Sequence, residues 1–262
     1  MPMNFHDPEQ RSMYTGRKAD ISWEQLMNEE VNVKGVQAAD IGCGGGIYSQ
    51  ALVRLGAASV IGIDFSMAML EAAAVQCAAH PEIRFQLGKA WETGLGDESV
   101  ELILEWALIH HLSPEELSDA FQEAYRILKE DGALVVQDRT PDDCLLEGSR
   151  HHLRGYLFEM FPKLSDREVN RRYRSEQVGR ALASAGFTEI RELKLWELRR
   201  AYLHFSDYCD DIRRRTGRSI LHELTDEELV TLTRYIQDMT GYQDGEPVEE
   251  RDLWTVWIAG KH

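Results

Sequence analysis

The sequence has few cysteines, no long apolar run and no excess of basic residues. Its four cysteines, Cys43, Cys77, Cys144 and Cys209, lie far apart and form no C-x-x-C pair, which is typical of free thiols in a reducing compartment. No apolar stretch approaches the length that crosses a bilayer, and the first residues lack the basic and apolar regions of a secretory signal. We therefore expect a cytoplasmic protein without a disulfide framework or a zinc site.

Positive charge is scarce as well. The chain has 29 Lys and Arg residues against 45 Asp and Glu residues, a formal net charge of −16 at pH 7. This excess of negative charge repels nucleic acid phosphates and anionic membrane surfaces, so neither partner is expected. With 43% hydrophobic residues in 262, the chain can bury a sizeable core. We expect a small-molecule partner, and a monomer or a homodimer.

Apolar stretches alternate with amphipathic ones over the first half of the chain. Buried strands are predicted at 36–41, 59–64, 83–87, 100–104 and 133–137. Helices are predicted between them, and one begins at Ser113, where Pro114 and Glu116 complete a capping box. Strands that alternate with helices pair in parallel. The sequence therefore predicts an α/β fold with helices flanking a mostly parallel sheet.

In the second half of the chain, strands and helices no longer alternate regularly. Residues 142–173 are rich in Arg, His and aromatic side chains and are predicted to be irregularly helical. Two further strands are predicted at 188–198 and 253–259, with a helical block at 202–241 between them. We interpret this block as an insertion over the active face and not as a separate domain. The predicted organisation is one domain over residues 1–262, with a core at about 30–140 and 175–262 and helical cover segments at about 1–30, 142–173 and 202–241.

Four glycines, Gly42, Gly44, Gly45 and Gly46, connect the first strand to the helix that follows it. Glycines at such a turn let the backbone approach a ligand closely, and the helix behind them presents free N–H groups. This stretch predicts a site for a nucleotide-like cofactor.

The pattern around these glycines separates two kinds of cofactor. A dinucleotide turn follows G-x-G-x-x-G/A, but Ile47 takes the third small position and would obstruct the close contact of helix and strand. No lysine–serine pair is present to hold a triphosphate. The alternative is an acidic-x-Gly-x-Gly-x-Gly motif that begins at Asp40 and ends at Gly46. A nicotinamide-dependent oxidoreductase is disfavoured on this ground.

The glycine motif, together with Asp64 at the end of the second strand, resembles the class I S-adenosylmethionine-dependent methyltransferases of the small-molecule type, similar to methyltransferase type 11. The resemblance covers about residues 36–138. It implies a Rossmann-like seven-stranded sheet of order 3-2-1-4-5-7-6 whose seventh strand is antiparallel. It also implies S-adenosylmethionine as cofactor, S-adenosylhomocysteine as product, methyl transfer to a small-molecule acceptor, and no metal.

The same resemblance implies roles for single residues. Asp40 would lie near the methionine moiety, and the Asp64 carboxylate would accept both ribose hydroxyls, which its two oxygens can do. Lys89 stands where the family usually has an aspartate that contacts adenine, and Glu105 is unusual at its position. The full cofactor-binding set that the resemblance implies is Tyr14, Arg17, Asp40, Gly42, Cys43, Gly44, Gly46, Asp64, Phe65, Met69, Ala90, Trp91, Glu105 and Trp106.

Sequence motifs indicate the catalytic and acceptor-binding residues less clearly than the cofactor-binding residues. His110 matches the family's usual histidine position and could act as a general base, because histidine titrates near neutral pH. The alternative for His110 is packing against the next helix, and for Arg17 it is an exposed arm instead of a partner for the methionine carboxylate. A basic and aromatic group either lines the acceptor pocket or simply packs: Arg150, His151, His152, Arg154, Tyr156 and Phe158.

A protein of another class remains possible at this point. A non-catalytic S-adenosylmethionine-binding or scaffold protein would carry the same glycine motif and the same Asp64. The helical cover favours the enzyme, because a closed acceptor pocket excludes water from the reacting groups.

Overall fold

The computed structural model describes residues 19–216 and 218–262 of the chain. Within them, one sheet of seven strands has the order β3-β2-β1-β4-β5-β7-β6. The strands are β1 (Gln37–Ile41), β2 (Ser59–Asp64), β3 (Ile83–Leu87), β4 (Val100–Trp106), β5 (Leu128–Asp138), β6 (Thr188–Tyr202) and β7 (Val248–Gly260). The first five pair in parallel, whereas β7 is antiparallel to both β5 and β6. The predicted fold and strand order are confirmed.

Helices connect and cover these strands. They are α1 (Ile21–Glu30), α2 (Ile47–Arg54), α3 (Met67–Gln76), α4 (Pro114–Ile127), α5 (Pro141–Cys144), α6 (Leu153–Met160), α7 (Pro162–Asn170), α8 (Ser175–Ala185), α9 (Phe205–Arg213) and α10 (Asp226–Thr240), with short 3₁₀ helices at Ile109–His111 and Ser219–Glu223. The capping box predicted for α4 is present, since the Ser113 hydroxyl accepts from the Glu116 N–H and Glu116 accepts from the Ser113 N–H. None of the described helices has both the length and the apolar character needed to span a bilayer.

Each face of the sheet is buried under its own layer of helices. One layer contains α4 and α8, where Phe121 and Leu182 pack against sheet residues such as Trp257. The opposite layer contains α1 and α2, where Trp23 and Leu52 pack against the sheet. Side chains of a parallel sheet covered on both faces are apolar over most of their length, which explains the continuous apolar runs in the sequence.

The helices of the predicted cover form a third apolar cluster. It joins α6, α9 and α10 through residues such as Leu157, Phe205 and Leu232. Tyr202 and Val248, at the ends of β6 and β7, belong to the same cluster. The cluster therefore contacts the sheet at the ends of β6 and β7, where these two strands extend beyond the other five. The organisation of residues 1–262 as one domain stays a prediction.

Strands β6 and β7 are longer than the sequence predicts. They pair from Thr188 with Gly260 to Tyr202 with Val248, well beyond the predicted ends at 198 and 253. The additional pairs carry charged residues such as Arg200 and Glu250, which conceal the alternation of apolar and polar side chains.

Candidate functional site

The glycine turn is fixed to the end of β2 by its own backbone. The N–H groups of Gly42 and Cys43 donate to the carbonyl of Ile63 at 2.7 and 3.0 Å. Gly42, Gly44 and Gly46 have φ angles of 75°, 51° and 78°, a conformation that glycine adopts without steric cost. The turn therefore holds its backbone at the carboxyl edges of β1 and β2.

Asp64, the last residue of β2, lies directly across from this turn. Its Oδ2 accepts the Gly44 N–H at 3.0 Å, and its Oδ1 accepts the Ser66 N–H at 2.8 Å. Burial raises the pKa of Asp64, and these backbone donors oppose that rise. A carboxylate has about four lone-pair sites, and the backbone N–H groups of Gly44, Phe65 and Ser66 use three of them, so Asp64 retains acceptor capacity.

A cavity of about 590 Å³ opens at this edge of the sheet. Its wall combines the glycine turn and the end of β2 with the loops that follow β3 and β4. The sequence-predicted residues that line it are Gly42, Cys43, Gly44, Asp64, Phe65, Met69, Ala90, Trp91, Trp106 and His110. Segments far apart in the sequence are thus brought together around one space, as is usual for ligand sites at the carboxyl ends of parallel strands.

Three predicted cofactor-binding residues lie outside the cavity wall. The buried carboxylate of Asp40 accepts from the Ser49 hydroxyl at 2.6 Å, and burial raises its pKa to about 7. A side-chain atom on Gly46 would lie 2.8 Å from the Cys77 sulfur, so this glycine permits close packing of α2. Asp40 and Gly46 thus support the turn through their packing, and their predicted cofactor contacts stay predictions.

Glu105 is the third of these residues. It is fully buried in β4, and it pairs with Ile41 and Val136 on the neighbouring strands. Neither carboxylate oxygen bonds another described residue, and burial raises its pKa to about 8. Its side chain does not line the cavity, so the predicted cofactor contact of Glu105 stays a prediction.

Tyr14 and Arg17 lie outside the described residues, so their predicted contacts stay predictions. Lys89 lies at the cavity wall with its ammonium 5.4 Å from the Trp91 ring centroid. Its position agrees with the sequence-based conclusion that it cannot accept a hydrogen bond from adenine.

An aromatic wall that the sequence analysis missed borders the cavity. Tyr48 stacks on Trp106 with ring centroids 4.6 Å apart, and Trp106 contacts Trp254 at 5.1 Å. The Tyr48 hydroxyl donates to the buried Glu197 carboxylate at 3.2 Å. The available signal was an aromatic residue one position after the start of α2, where a side chain faces the ligand side of the turn.

His110 is held by an aspartate that the sequence analysis also missed. Its Nδ1 lies 2.8 Å from Oδ2 of Asp138, and its backbone N–H donates to the same oxygen at 3.1 Å. Asp138 ends β5 as Asp64 ends β2, and this position at the carboxyl edge was the signal that could have identified it. An aspartate bonded to Nδ1 favours the tautomer whose Nε2 can accept a proton.

The charges around this pair set its protonation. Burial lowers the pKa of His110, and the nearby charges of Arg172 and Arg171 lower it too, whereas Asp138 opposes this change. His110 is therefore neutral at pH 7. Burial would raise the pKa of Asp138, but the charges of its neighbours outweigh that effect and hold its pKa below the usual range. With His110 neutral, Arg172 is the cation that keeps Asp138 ionised, through an ion pair.

Most of the basic and aromatic residues at 150–158 pack within the cover. Tyr156 and Phe158 belong to the third apolar cluster, and Arg150 pairs with Glu246. Arg154 is different, because it bonds the buried Glu168 at 3.0 Å. Among the described residues, no group of three or more His, Cys, Asp or Glu side chains could hold a metal ion.

Comparison with known proteins places this fold in a defined class. Residues 38–132 match the family model described as a methyltransferase domain. The chain is 28% identical to a ubiquinone biosynthesis O-methyltransferase of Pelagibacter ubique over 43% of this chain and 45% of that protein. It is 25% identical to an uncharacterized methyltransferase of Synechocystis over 65% of this chain and 76% of that one.

Solved structures share the fold at low sequence identity. A phosphoethanolamine N-methyltransferase of Haemonchus contortus, solved with phosphomonomethylethanolamine and S-adenosylhomocysteine, has a TM-score of 0.59 at 18% identity. The superposition covers 99% of this chain and 61% of that one. The fold is thus that of the class I S-adenosylmethionine-dependent methyltransferases. The methyltransferase domain model that matches residues 38–132 and this shared fold together confirm the resemblance. The chain spans about half the length of the ubiquinone biosynthesis relatives it matches.

Proposed function

We propose that this chain transfers a methyl group from S-adenosylmethionine to a small-molecule acceptor. The observation that carries the proposal is the Asp64 carboxylate at the cavity wall, held by the Gly44 and Ser66 N–H groups. A ribose presents two neighbouring hydroxyl donors, and the Asp64 carboxylate at the cavity wall is a strong acceptor for such donors.

The remainder of the wall fits the cofactor as well. A volume of about 590 Å³ lies within the range of small-molecule sites, about 300–1,000 Å³. Phe65 is 55% exposed at the wall, so its ring presents apolar surface to a flat ligand. Met69 and Trp91 provide further apolar surface for an adenine ring. Ile47 lines the cavity at the start of α2, where a dinucleotide site requires a small residue.

The protein's part in such a reaction is alignment, exclusion of water and proton removal. When bound, S-adenosylmethionine supplies a methyl group on a sulfonium, which is an excellent leaving group. The turn and the aromatic wall of Tyr48 and Trp106 would fix the reactants and keep water out. His110, neutral and oriented by Asp138, would accept the proton of an acceptor hydroxyl or amine at Nε2.

The relatives support this proposal in part. The names of the Pelagibacter and Brucella proteins state O-methylation, and that of the Haemonchus protein states N-methylation. Both acceptor types carry a proton that a base can remove. The fold alone does not fix the reaction, because the 4+2 cyclase SpnF shares it with a TM-score of 0.56 at 19% identity. A non-catalytic binding protein therefore stays as the alternative.

Isothermal titration calorimetry with S-adenosylmethionine, S-adenosylhomocysteine and NAD tests the cofactor. We expect the first two to bind and NAD to give no heat. Mass spectrometry of mixtures with hydroxyl- and amine-bearing acceptors then tests transfer through the S-adenosylhomocysteine formed. Binding without turnover on any acceptor would favour the scaffold, and no heat with S-adenosylmethionine would reject the proposal.

A further inference from the structure

Three guanidinium groups share one buried carboxylate beside the cavity. Glu168 pairs with Arg154 at 3.0 Å, with Arg171 at 2.6 Å and with Arg172 at 2.5 Å. Arg172 also pairs with Asp138 at the end of β5. Arg154, Arg171, Arg172 and Glu168 are called the arginine cluster below.

The arginine cluster and Asp138 together hold more positive than negative charge. Three guanidinium groups face two carboxylates. Burial would raise the pKa of Glu168, but the neighbouring arginines outweigh it and hold this pKa below its usual range, so both carboxylates are already ionised. The next carboxylate, Asp252, is paired with Arg139 at 2.5 Å. Among these described groups, positive charge therefore exceeds negative charge by one.

Two of the three guanidinium groups are buried away from water. The side chains of Arg154 and Arg172 are 13% and 4% exposed, and their Nε atoms bond none of the described residues. Burial lowers the pKa of Arg154, which reflects the cost of keeping its charge in this environment. These two buried guanidinium groups share the Glu168 carboxylate, so an anion that approaches the cluster is attracted by its excess positive charge, and burial screens this attraction less than bulk water would.

Arg171 gives an entering molecule access to the cluster. Its side chain is 41% exposed, and it lines the cavity together with His110 and His111. Glu116 adds one carboxylate to the same cavity wall, where the Ser113 N–H holds it at 2.8 Å in the capping box of α4. The described wall beside His110 thus offers a guanidinium group to a ligand.

We propose that the methyl acceptor carries an anionic group, a carboxylate or a phosphate, that binds Arg171 and supplies the negative charge that the arginine cluster lacks. This inference rests on the proposed methyl transfer and adds the class of acceptor. A guanidinium group binds both anions through paired hydrogen bonds, so one site would serve either source. Binding there would place the remainder of the acceptor next to His110.

The experiment measures the affinity of small probes for the protein saturated with S-adenosylhomocysteine. Benzoate and phenyl phosphate are compared by calorimetry with benzamide and benzyl alcohol, which have similar shapes and no charge. We expect at least one anion to bind about tenfold or more tightly than the neutral probes, as charged hydrogen bonds allow. The tighter anion distinguishes a carboxylate from a phosphate.

Two variants locate the effect. Arg171→Gln should remove the preference for anions and leave the affinity for S-adenosylhomocysteine unchanged. Arg167→Gln is the matched control, because Arg167 lies in α7 and pairs with Glu223 outside the cluster, so the preference should survive. Equal affinity for anions and neutral probes, no binding of either anion, or a preference that survives Arg171→Gln would overturn the inference. Failure of S-adenosylhomocysteine itself to bind would instead reject the proposed function.

Discussion

His110 shows how one residue gains a role from its surroundings. A histidine after β4 could equally well pack against α4, and the sequence left both interpretations open. The structure places Asp138 at 2.8 Å from its Nδ1 and the ring at the cavity wall. Proton acceptance at Nε2 thus becomes the stronger hypothesis, because orientation and access are both present.

Replacement of His110 should remove base catalysis without removing the cofactor site. We expect His110→Asn to lower kcat by about 10²- to 10⁴-fold, the usual contribution of a positioned base. The affinity for S-adenosylmethionine should stay within about twofold. His222→Asn, a surface histidine in the 3₁₀ helix at Ser219–Glu223, is the matched control. An unchanged kcat for His110→Asn would show that the acceptor needs no base from this residue.

The pH dependence of the wild-type rate follows from the same residue. Burial lowers the pKa of His110 below its ordinary value of 6.5, so its neutral form dominates at pH 7. We expect kcat to be flat between pH 7 and 8 and to fall only at lower pH, as His110 becomes protonated. The profile of kcat against pH, with a saturating acceptor, measures this. A fall that is centred above pH 7 would contradict the assignment.

Glu105 is a buried acid that bonds none of the described side chains, and its effect should appear in stability. Its folded-state pKa is about 8 and its ordinary value is 4.5. Between these values the folded chain retains a proton that the unfolded chain has lost. Stability should therefore fall as the pH rises from 6 to 8, by at most about 1.4 kcal/mol per pH unit for this one group.

Glu105→Gln removes this titration and retains the shape of the side chain. We expect the variant to lose less stability than wild type between pH 6 and pH 8, as measured by urea unfolding at each pH. Asp40 and Glu197, whose pKa values burial raises to about 7 and about 8, keep their own contributions, so the dependence should become weaker and not vanish. The same slope in both proteins would contradict a raised pKa at Glu105.

At the scale of the element, Gly46 and Gly179 have opposite effects on the stability of the fold. Gly46 begins α2 with a φ of 78°, and a Cβ there would lie 2.8 Å from the Cys77 sulfur. Gly179 lies inside α8, and a Cβ there would meet nothing within 4 Å. The first glycine is required by the turn, whereas the second only weakens its helix.

Alanine substitutions should separate these two functions. Gly179→Ala should raise the free energy of unfolding by about 0.4–1 kcal/mol, because the unfolded chain loses freedom. Gly46→Ala should lower it by more than that, because the left-handed backbone and the contact with Cys77 both oppose a side chain. Chemical denaturation of both variants checks this, and a stabilised Gly46→Ala would show that the turn can adapt.

The elements were predictable where one periodicity governs them. β2 has a short apolar run, β3 alternates apolar and polar residues, and α4 has a complete capping box, so their type and position follow from local sequence. The outer parts of β6 and β7 were not predictable. Their charged residues form ion pairs with residues of other segments, as Glu250 of β7 does with Arg218. The local sequence pattern does not indicate such pairs.

At the scale of the whole molecule, the cofactor side of the cavity was largely predictable and the acceptor side was not. The glycine turn and Asp64 belong to adjacent parts of one motif. The acceptor side depends on Asp138, Arg171 and Glu168, which meet only after α7 folds over the sheet edge. The formal charge of −16 even points away from a basic site, because a net charge does not report where single charges lie.

The most direct test of the account is the affinity of Asp64→Ala for S-adenosylmethionine. Asp238→Ala, which removes the same charge from an exposed position in α10, is the matched control, and thermal unfolding checks that both variants fold. Loss of charge-assisted hydrogen bonds to the ribose should cost about 1.5–3 kcal/mol, a weakening of about 10- to 150-fold by calorimetry. The control should bind like wild type. A folded Asp64→Ala that binds S-adenosylmethionine as tightly as wild type would contradict the account.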